Sequence, residues 1–241
     1  MVTVDSQGWD RTSLAKRIEH TLLKPQATPA EVERLCHEAK TYGFAAVVVN
    51  PWHVRAAVRA LAGTGVEVAT VVGFPLGATT TGTKVYEAIE AVQAGASHVD
   101  MVMNIGALKA GMADEVQRDI AAVVAAARGA GAGGPVPVVV KVILETGLLT
   151  DEEKVLACRL ARAAGADYVK TATGFGPGGA TVEDVRLMRS VVGREMGVKA
   201  AGGIRTGAQA LAMLAAGADR LGASAGVAIV EELWPSTAPK A

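Results

Sequence analysis

Eight short runs rich in β-branched residues recur along this chain, separated by longer amphipathic stretches, and no Pro- or Ser-rich linker interrupts the alternation. Strands joined through helices must run parallel, because each connection carries the chain back to the end where the previous strand began. The strands are expected at 18–23, 45–49, 66–72, 98–103, 136–144, 168–171, 198–200 and 220–222. Helices are expected at 29–42, 51–62, 82–94, 112–128, 151–164, 182–192 and 207–216. Three of these open on a hydroxyl N-cap with an acid three residues later: Thr28 with Glu31, Thr150 with Glu153 and Thr181 with Asp184. Eight strand–helix units in 241 residues fit a closed (β/α)8 barrel of the α/β class. The expected organisation is one barrel domain over 11–234 with a short N-terminal helical extension, flanked by flexible segments at 1–10 and 235–241.

An internal echo supports that topology. Ala94-Gly95-Ala96-Ser97, Ala164-Gly165-Ala166-Asp167 and Ala216-Gly217-Ala218-Asp219 each end a helix on a glycine suited to a left-handed cap and lead into a strand. Five residues beyond those glycines stand Asp100, Lys170 and Gly222. Each is thereby carried toward the carboxyl end of its strand, the face on which barrel enzymes build their sites.

Charge narrows the partners. Lys and Arg number 24 against 24 Asp and Glu, which lacks the basic excess that a nucleic-acid backbone demands and supplies no polybasic membrane patch. The longest apolar stretches fall far short of the roughly 18 residues that cross a bilayer, and residues 1–10 do not read as a secretory signal. Two cysteines, Cys36 and Cys158, sit among apolar neighbours in helical patterns and read as buried thiols, which fits a reducing cytoplasm.

The informative residues are charges inside apolar strands. Lys141 interrupts Val138-Val139-Val140-Lys141-Val142-Ile143-Leu144, Lys170 follows Tyr168-Val169, Lys199 sits between Val198 and Ala200, and Asp100 is embedded in His98-Val99-Asp100-Met101-Val102. Parallel strands are ordinarily apolar on both faces, so four ionisable intrusions point to a site. A lysine amine is nucleophilic only when neutral, and both burial and a neighbouring cation favour that form. Lys170 and Lys199 end successive strands, so one ammonium can depress the pKa of the other, as a Schiff-base lysine requires. Asp100 is placed to move protons during imine formation and carbon deprotonation.

Three glycine-rich loops follow the last three strands: Thr173-Gly174-Phe175-Gly176-Pro177-Gly178-Gly179, Gly202-Gly203-Ile204-Arg205 and Gly222-Ala223-Ser224-Ala225-Gly226. Glycine lets backbone N–H groups approach an anion, and barrels commonly hold phosphate beyond strands seven and eight. Gly174, Gly176 and Gly179 also match G-x-G-x-x-G, but no acid ends the following strand, so a dinucleotide site is set aside. His20, His37, His53 and His98 lack metal-ligand spacing, and no metal is expected. They read as scattered core or surface histidines. Ser224 has no evident triad partner and reads as a phosphate donor.

With their flanks these residues resemble the deoxyribose-phosphate aldolase family of class I aldolases. The matching segments are 19–25, 99–108, 141–147, 169–175, 199–206 and 222–226, which span nearly the whole chain in the family's order. The resemblance implies a TIM barrel in which Lys170 forms the Schiff base, Lys199 perturbs it and relays protons, and Asp100 is the acid/base carboxylate. Gly174, Gly202, Gly203, Gly222 and Ser224 would hold the substrate phosphate, with Thr21, Lys141 and Thr173 in supporting positions along the pocket. The implied reaction interconverts 2-deoxyribose 5-phosphate with acetaldehyde and glyceraldehyde 3-phosphate, without metal or cofactor, in a homo-oligomer, a dimer or tetramer. Departures from the family pattern are Glu19, often Asp, Val48, cysteine in some members, and Ala225, serine in some. Rival readings are another phosphate-binding barrel lyase or isomerase using Asp100 without covalent catalysis, and a non-catalytic phosphosugar-binding protein.

Overall fold

The computed structural model describes residues 8–134 and 137–235. The strands are β1 (Ile18–Leu22), β2 (Ala46–Val49), β3 (Glu67–Val72), β4 (His98–Val102), β5 (Val139–Ile143), β6 (Tyr168–Lys170), β7 (Gly197–Ala201) and β8 (Arg220–Ala223). All neighbouring pairs are parallel and β8 returns to β1, closing the barrel. The helices are α1 (Arg11–Ala15), α2 (Pro29–Tyr42), α3 (Val54–Leu61), α4 (Thr81–Gln93), α5 (Ile105–Lys109), α6 (Ala113–Ala130), α7 (Asp151–Ala163), α8 (Val182–Val192), α9 (Gly207–Ala215) and α10 (Gly226–Leu233). Among the described residues, no helix is long and apolar enough to cross a membrane.

Local chemistry sets the boundaries. Thr28 and Thr150 form reciprocal capping boxes with Glu31 and Glu153. Thr181 accepts from the Asp184 N–H, but the Asp184 carboxylate does not reach back, because it pairs instead with Lys154 at 2.6 Å. Gly95, Gly165 and Gly217 all take positive φ, at 106°, 82° and 111°, so a side chain at any of them would be strained. The fifth strand begins at Val139, later than expected, since Pro137 has no N–H for a ladder; Val136 lies outside the described residues. The helix expected over 51–62 is a 3-10 turn, Pro51–His53, followed by α3. Two helices, α5 and α10, were not anticipated: α5 is a single turn capped by Asn104, and the Val-Ala-Ile-Val run in α10 has strand-like composition.

Of the terminal segments, residues 1–7 and 236–241 lie outside the described residues. The packed chain reaches back beyond the expected boundary at residue 10, because Asp10 caps α1 in a box with Ser13 and Trp9 packs on the core under the Arg17 guanidinium.

Strand alternation divides the side chains into two sets. Val99, Met101, Val140, Val142, Val169 and Val198 point outward into the main core shared with the helices. Inside the barrel, Leu23, Val48, Ala69 and Val71 form a separate apolar cluster on the β1–β3 side. The rest of the interior is charged, and that asymmetry places the site.

Candidate active site

The charged half of the interior is built from alternate residues of five strands. Register aligns Asp100 with Lys141 and Lys170 with Lys199. Glu19 on β1 completes the group, and Glu19, Asp100, Lys141 and Lys199 are all fully buried. Asp100 is the hub: one carboxylate oxygen accepts from Lys141 at 3.1 Å, and the other from Lys170 at 2.9 Å and Lys199 at 2.7 Å. Lys199 also donates to Glu19, and Lys141 stands 3.4 Å from the other Glu19 oxygen. Three lysines therefore face two carboxylates, and neutrality is reached only when one lysine gives up its proton. Isolated buried charge is strongly unfavourable, so the fold favours that deprotonation.

The environment selects Lys170. Burial is the main force lowering its pKa, to about 8; Asp100 opposes that shift and the Lys199 ammonium adds to it. Burial also works against charge on Lys199, but Asp100 and Glu19 outweigh it and raise its pKa above the ordinary lysine value. Asp100 is held well below the usual carboxylate range, burial notwithstanding, by Lys141, Lys170 and Lys199. The Lys199 cation beside Lys170 is thus locked on, while Lys170 gives up its proton more readily than an ordinary lysine. Burial dominates over the neighbouring-lysine effect that the sequence suggested, and both act in the same direction.

Lys170 is also the lysine of the trio that opens on a cavity. A pocket of about 360 Å³ at the carboxyl ends of the strands is lined by Lys170, Thr21, Thr173, Gly174, Gly202, Gly203, Gly222 and Ser224, with Lys24, Phe175 and Arg205 on its wall. Every expected phosphate-loop residue therefore reaches one rim. Gly174, Gly202 and Gly203 adopt positive φ, a conformation that residues with side chains disfavour, so glycine is what lets the backbone take this course along the rim. Gly222 has a second reason: a Cβ there would lie 2.9 Å from Ala201 Cβ and 3.1 Å from Lys199 Cε, so its absence makes room for the lysine stem.

Two expectations need correction. Lys141 does not line the pocket: it lies a layer beneath it, because its ladder partner is Asp100, whereas Lys170 pairs one step further on with Ile143. Asp100 is the middle residue of β4 and not its end, so it reaches the site from below. Thr173 does line the pocket, yet its hydroxyl is engaged in the wall: it donates to Glu145 and accepts from the N–H groups of Phe175 at 3.0 Å and Gly176 at 3.3 Å. Thr21 lines the opposite side, its hydroxyl donating to the Glu19 carbonyl at 2.9 Å.

Glu19, Glu145 and His98 belong to the assembly and had no role in the sequence reading. Glu19 carried the same signal as Asp100, an acid within an apolar strand. Glu145 is buried at φ 58°, and it braces the loop that bears Gly174. His98 bonds Lys141 through Nδ1 at 2.8 Å. Val48 stands in the apolar interior cluster and Ala225 at the N-cap of α10. Both cysteines are buried free thiols, with pKa values pushed up by burial to about 11 for Cys36 and about 12 for Cys158, which makes neither a nucleophile.

Residues 10–235 of the chain that builds this lysine-bearing pocket match the DeoC/LacD family of aldolases. The chain belongs to that aldolase family. A deoxyribose-phosphate aldolase of Thermoanaerobacter sp. strain X514 is 60% identical to this aldolase over 220 residues, covering 91% of this chain and 96% of the relative. One from Thermococcus gammatolerans is also 60% identical over 220 residues, covering 90% and 95%. Among solved structures, the tetrameric deoxyribose phosphate aldolase of Aeropyrum pernix superposes with a TM-score of 0.83 at 37% identity, covering 91% of this chain and 90% of that one.

Proposed function

We propose that this aldolase cleaves 2-deoxy-D-ribose 5-phosphate reversibly to acetaldehyde and D-glyceraldehyde 3-phosphate through a Schiff base on Lys170. The observation that carries the reading is Lys170, whose pKa falls to about 8 and which, of the three lysines, opens on the pocket. The neutral amine adds to the C1 aldehyde of the open-chain sugar and expels water, giving a protonated imine that serves as an electron sink. Removal of the C3 hydroxyl proton then breaks the C2–C3 bond, glyceraldehyde 3-phosphate leaves, and the electron pair stays on the enamine. Protonation of that carbon and hydrolysis release acetaldehyde and restore the amine. Asp100 is the proton carrier of these steps. Lys199 keeps a fixed positive charge beside the developing enamine and helps hold Lys170 neutral. The reaction needs no cofactor on this reading, since the iminium supplies the electrophile.

Borohydride reduction in the presence of acetaldehyde is expected to add a two-carbon group to Lys170. Peptide mapping that located the label on Lys141 or Lys199 would reject the assignment, and a complete absence of adduct would favour non-covalent isomerisation or simple phosphosugar binding.

The anion is assigned to Gly174, Gly202, Gly203, Gly222 and Ser224, with Lys24 and Arg205 on the same wall. Gly203 is the discriminating position, because a Cβ there meets nothing within 4 Å while φ of +78° disfavours any side chain. Gly203→Val should raise KM for the phosphorylated sugar about tenfold or more, the worth of one or two hydrogen bonds to a charged group. Unphosphorylated deoxyribose should be affected far less. Equal losses on both substrates would mark the glycine as structural.

The chain is further proposed to act in the cytoplasm as a homo-oligomer. Exposed Trp52 and Tyr86, with 78% and 68% of their surface free in the isolated chain, supply apolar area for contact between copies. A monomeric mass by light scattering would refute it.

A further inference from the structure

The cavity opens on one face of the barrel, but the charge cluster also continues to the other. Lys141 donates to His98 Nδ1 at 2.8 Å, and His98 Nε2 lies 3.2 Å from the Glu67 carboxylate. Glu67 is the first residue of β3, at the end of the barrel away from the pocket, and 39% of its side chain is exposed. A lysine ammonium has donors only, so Nδ1 must accept and the ring proton must sit on Nε2, aimed at Glu67. From Lys170 to solvent the contacts then run through Asp100, Lys141, His98 and Glu67 at 2.9, 3.1, 2.8 and 3.2 Å.

We propose that Lys141, His98 and Glu67 form a proton outlet from the catalytic cluster to the face of the barrel opposite the pocket. The inference rests on the Schiff-base reading above and adds the route by which its protons reach bulk water. Asp100, Lys141 and Lys199 are themselves inaccessible, so a proton that leaves them passes either Lys170 and the pocket or His98. Outward transfer passes one proton from the Lys170 ammonium to Asp100. Lys141 gives one of its protons to His98 Nδ1 as the Nε2 proton leaves through Glu67 to water, and the amine so freed takes up the proton held on Asp100. No bond between heavy atoms changes and no electron is transferred. The imidazole is left in its other tautomer, and the inward transfer that accompanies enamine protonation resets it. Release and uptake therefore cancel over one turnover.

The groups around this path favour it. Glu19 and Asp100 flank Lys141 on the pocket side, the Tyr168 ring lies 5.9 Å from its ammonium, and Arg220 stands near Glu67. The His98 hydrogen bond, with a smaller contribution from Arg220, holds the Glu67 carboxyl below its ordinary value, so Glu67 is an open acceptor at neutral pH. Gly197 is required beneath: a Cβ there would lie 2.1 Å from the Tyr168 ring, which closes the floor next to the path.

The test follows deuterium entry into the methyl group of acetaldehyde in D2O, a half-reaction that requires the enamine and its protonation but no second aldehyde. His98→Gln keeps both hydrogen bonds, its amide oxygen accepting from Lys141 and its NH2 donating to Glu67, yet cannot pass a proton. Exchange and kcat are expected to fall about tenfold with KM within about twofold and an unchanged melting temperature. Glu67→Ala, at the rim, should lose a similar factor and recover on addition of formate. Wild-type exchange rates in both variants would overturn the outlet, as would a Glu67→Ala defect that formate leaves untouched. Should His98→Gln fail to fold, the formate titration of Glu67→Ala decides alone. A wild-type protein that borohydride does not label at Lys170 would instead sink the Schiff-base reading, which keeps the two failures distinct.

Discussion

Asp100→Asn is expected to lower turnover by about 10²- to 10⁴-fold at every pH, the range that a positioned proton carrier contributes. Asp100 accepts from all three lysines of the cluster, at 3.1, 2.9 and 2.7 Å, so no other residue can substitute for it. The sign of its effect on Lys170 makes the result diagnostic. Asp100 works against the lowering of the Lys170 pKa, so the Asn variant has a still lower pKa there and more neutral amine at pH 7. Borohydride labelling of Lys170 should therefore survive while turnover collapses. The variant also leaves Lys141 and Lys199 with Glu19 as their only remaining carboxylate, which should destabilise the fold by roughly 3–5 kcal/mol, measurable by chemical denaturation. Near-full activity would return Asp100 to a structural role.

Lys199→Leu separates electrostatic help from obligatory proton transfer. Lys199 helps to lower the Lys170 pKa from 10.5 to about 8, and without it Asp100 pairs with Lys170 with less competition. A full return to 10.5 would reduce the neutral amine at pH 7 by up to about 300-fold, since each tenfold loss corresponds to a rise of one in the pKa. Burial persists in the variant and limits the loss. Activity should climb by up to about tenfold per pH unit between pH 7 and 10, where the wild-type profile flattens above about 8. A folded variant whose activity stays equally low from neutral to alkaline pH would assign Lys199 to proton transfer or substrate positioning instead.

The sequence made the barrel legible because its punctuation is local. Gly95, Gly165 and Gly217 stop helices through backbone conformation alone, and Thr28 and Thr150 start them through hydrogen bonds within four residues. Lys170 and Lys199 stood out for a similar reason, as ionisable groups in runs that parallel strands normally keep apolar. The depth of each group was not legible. Whether Lys141 faces the pocket or lies a layer below depends on register against β4, and a ladder shifted by one residue would turn it out of the barrel altogether. Glu19 was read as a departure from a family pattern, while its physical meaning came from Lys199 and Lys141, 180 and 122 positions away in the chain. His98 has no metal-ligand spacing, and its two contacts come from β3 and β5, so nothing on its own strand pointed to them. The single-turn helix α5 and the Val-rich α10 were missed because too little or the wrong local signal marks them.

The mismatch of three lysines with two carboxylates couples proton binding to the stability of the whole protein. At pH 9 the folded chain carries Lys170 mainly as the free amine, since its pKa is about 8, whereas the unfolded chain, with a value near 10.5, carries it protonated. Unfolding at that pH takes up nearly one proton, so stability rises by about 1.4 kcal/mol per pH unit between roughly 8 and 10.5 on this account. At the acid end the depressed values of Asp100 and Glu19 act in the same sense: their contribution is present above the unfolded carboxylate range and disappears as pH falls through their folded values. A catalyst that keeps one amine uncharged is therefore biased toward alkaline conditions in its folding equilibrium as well as in its chemistry.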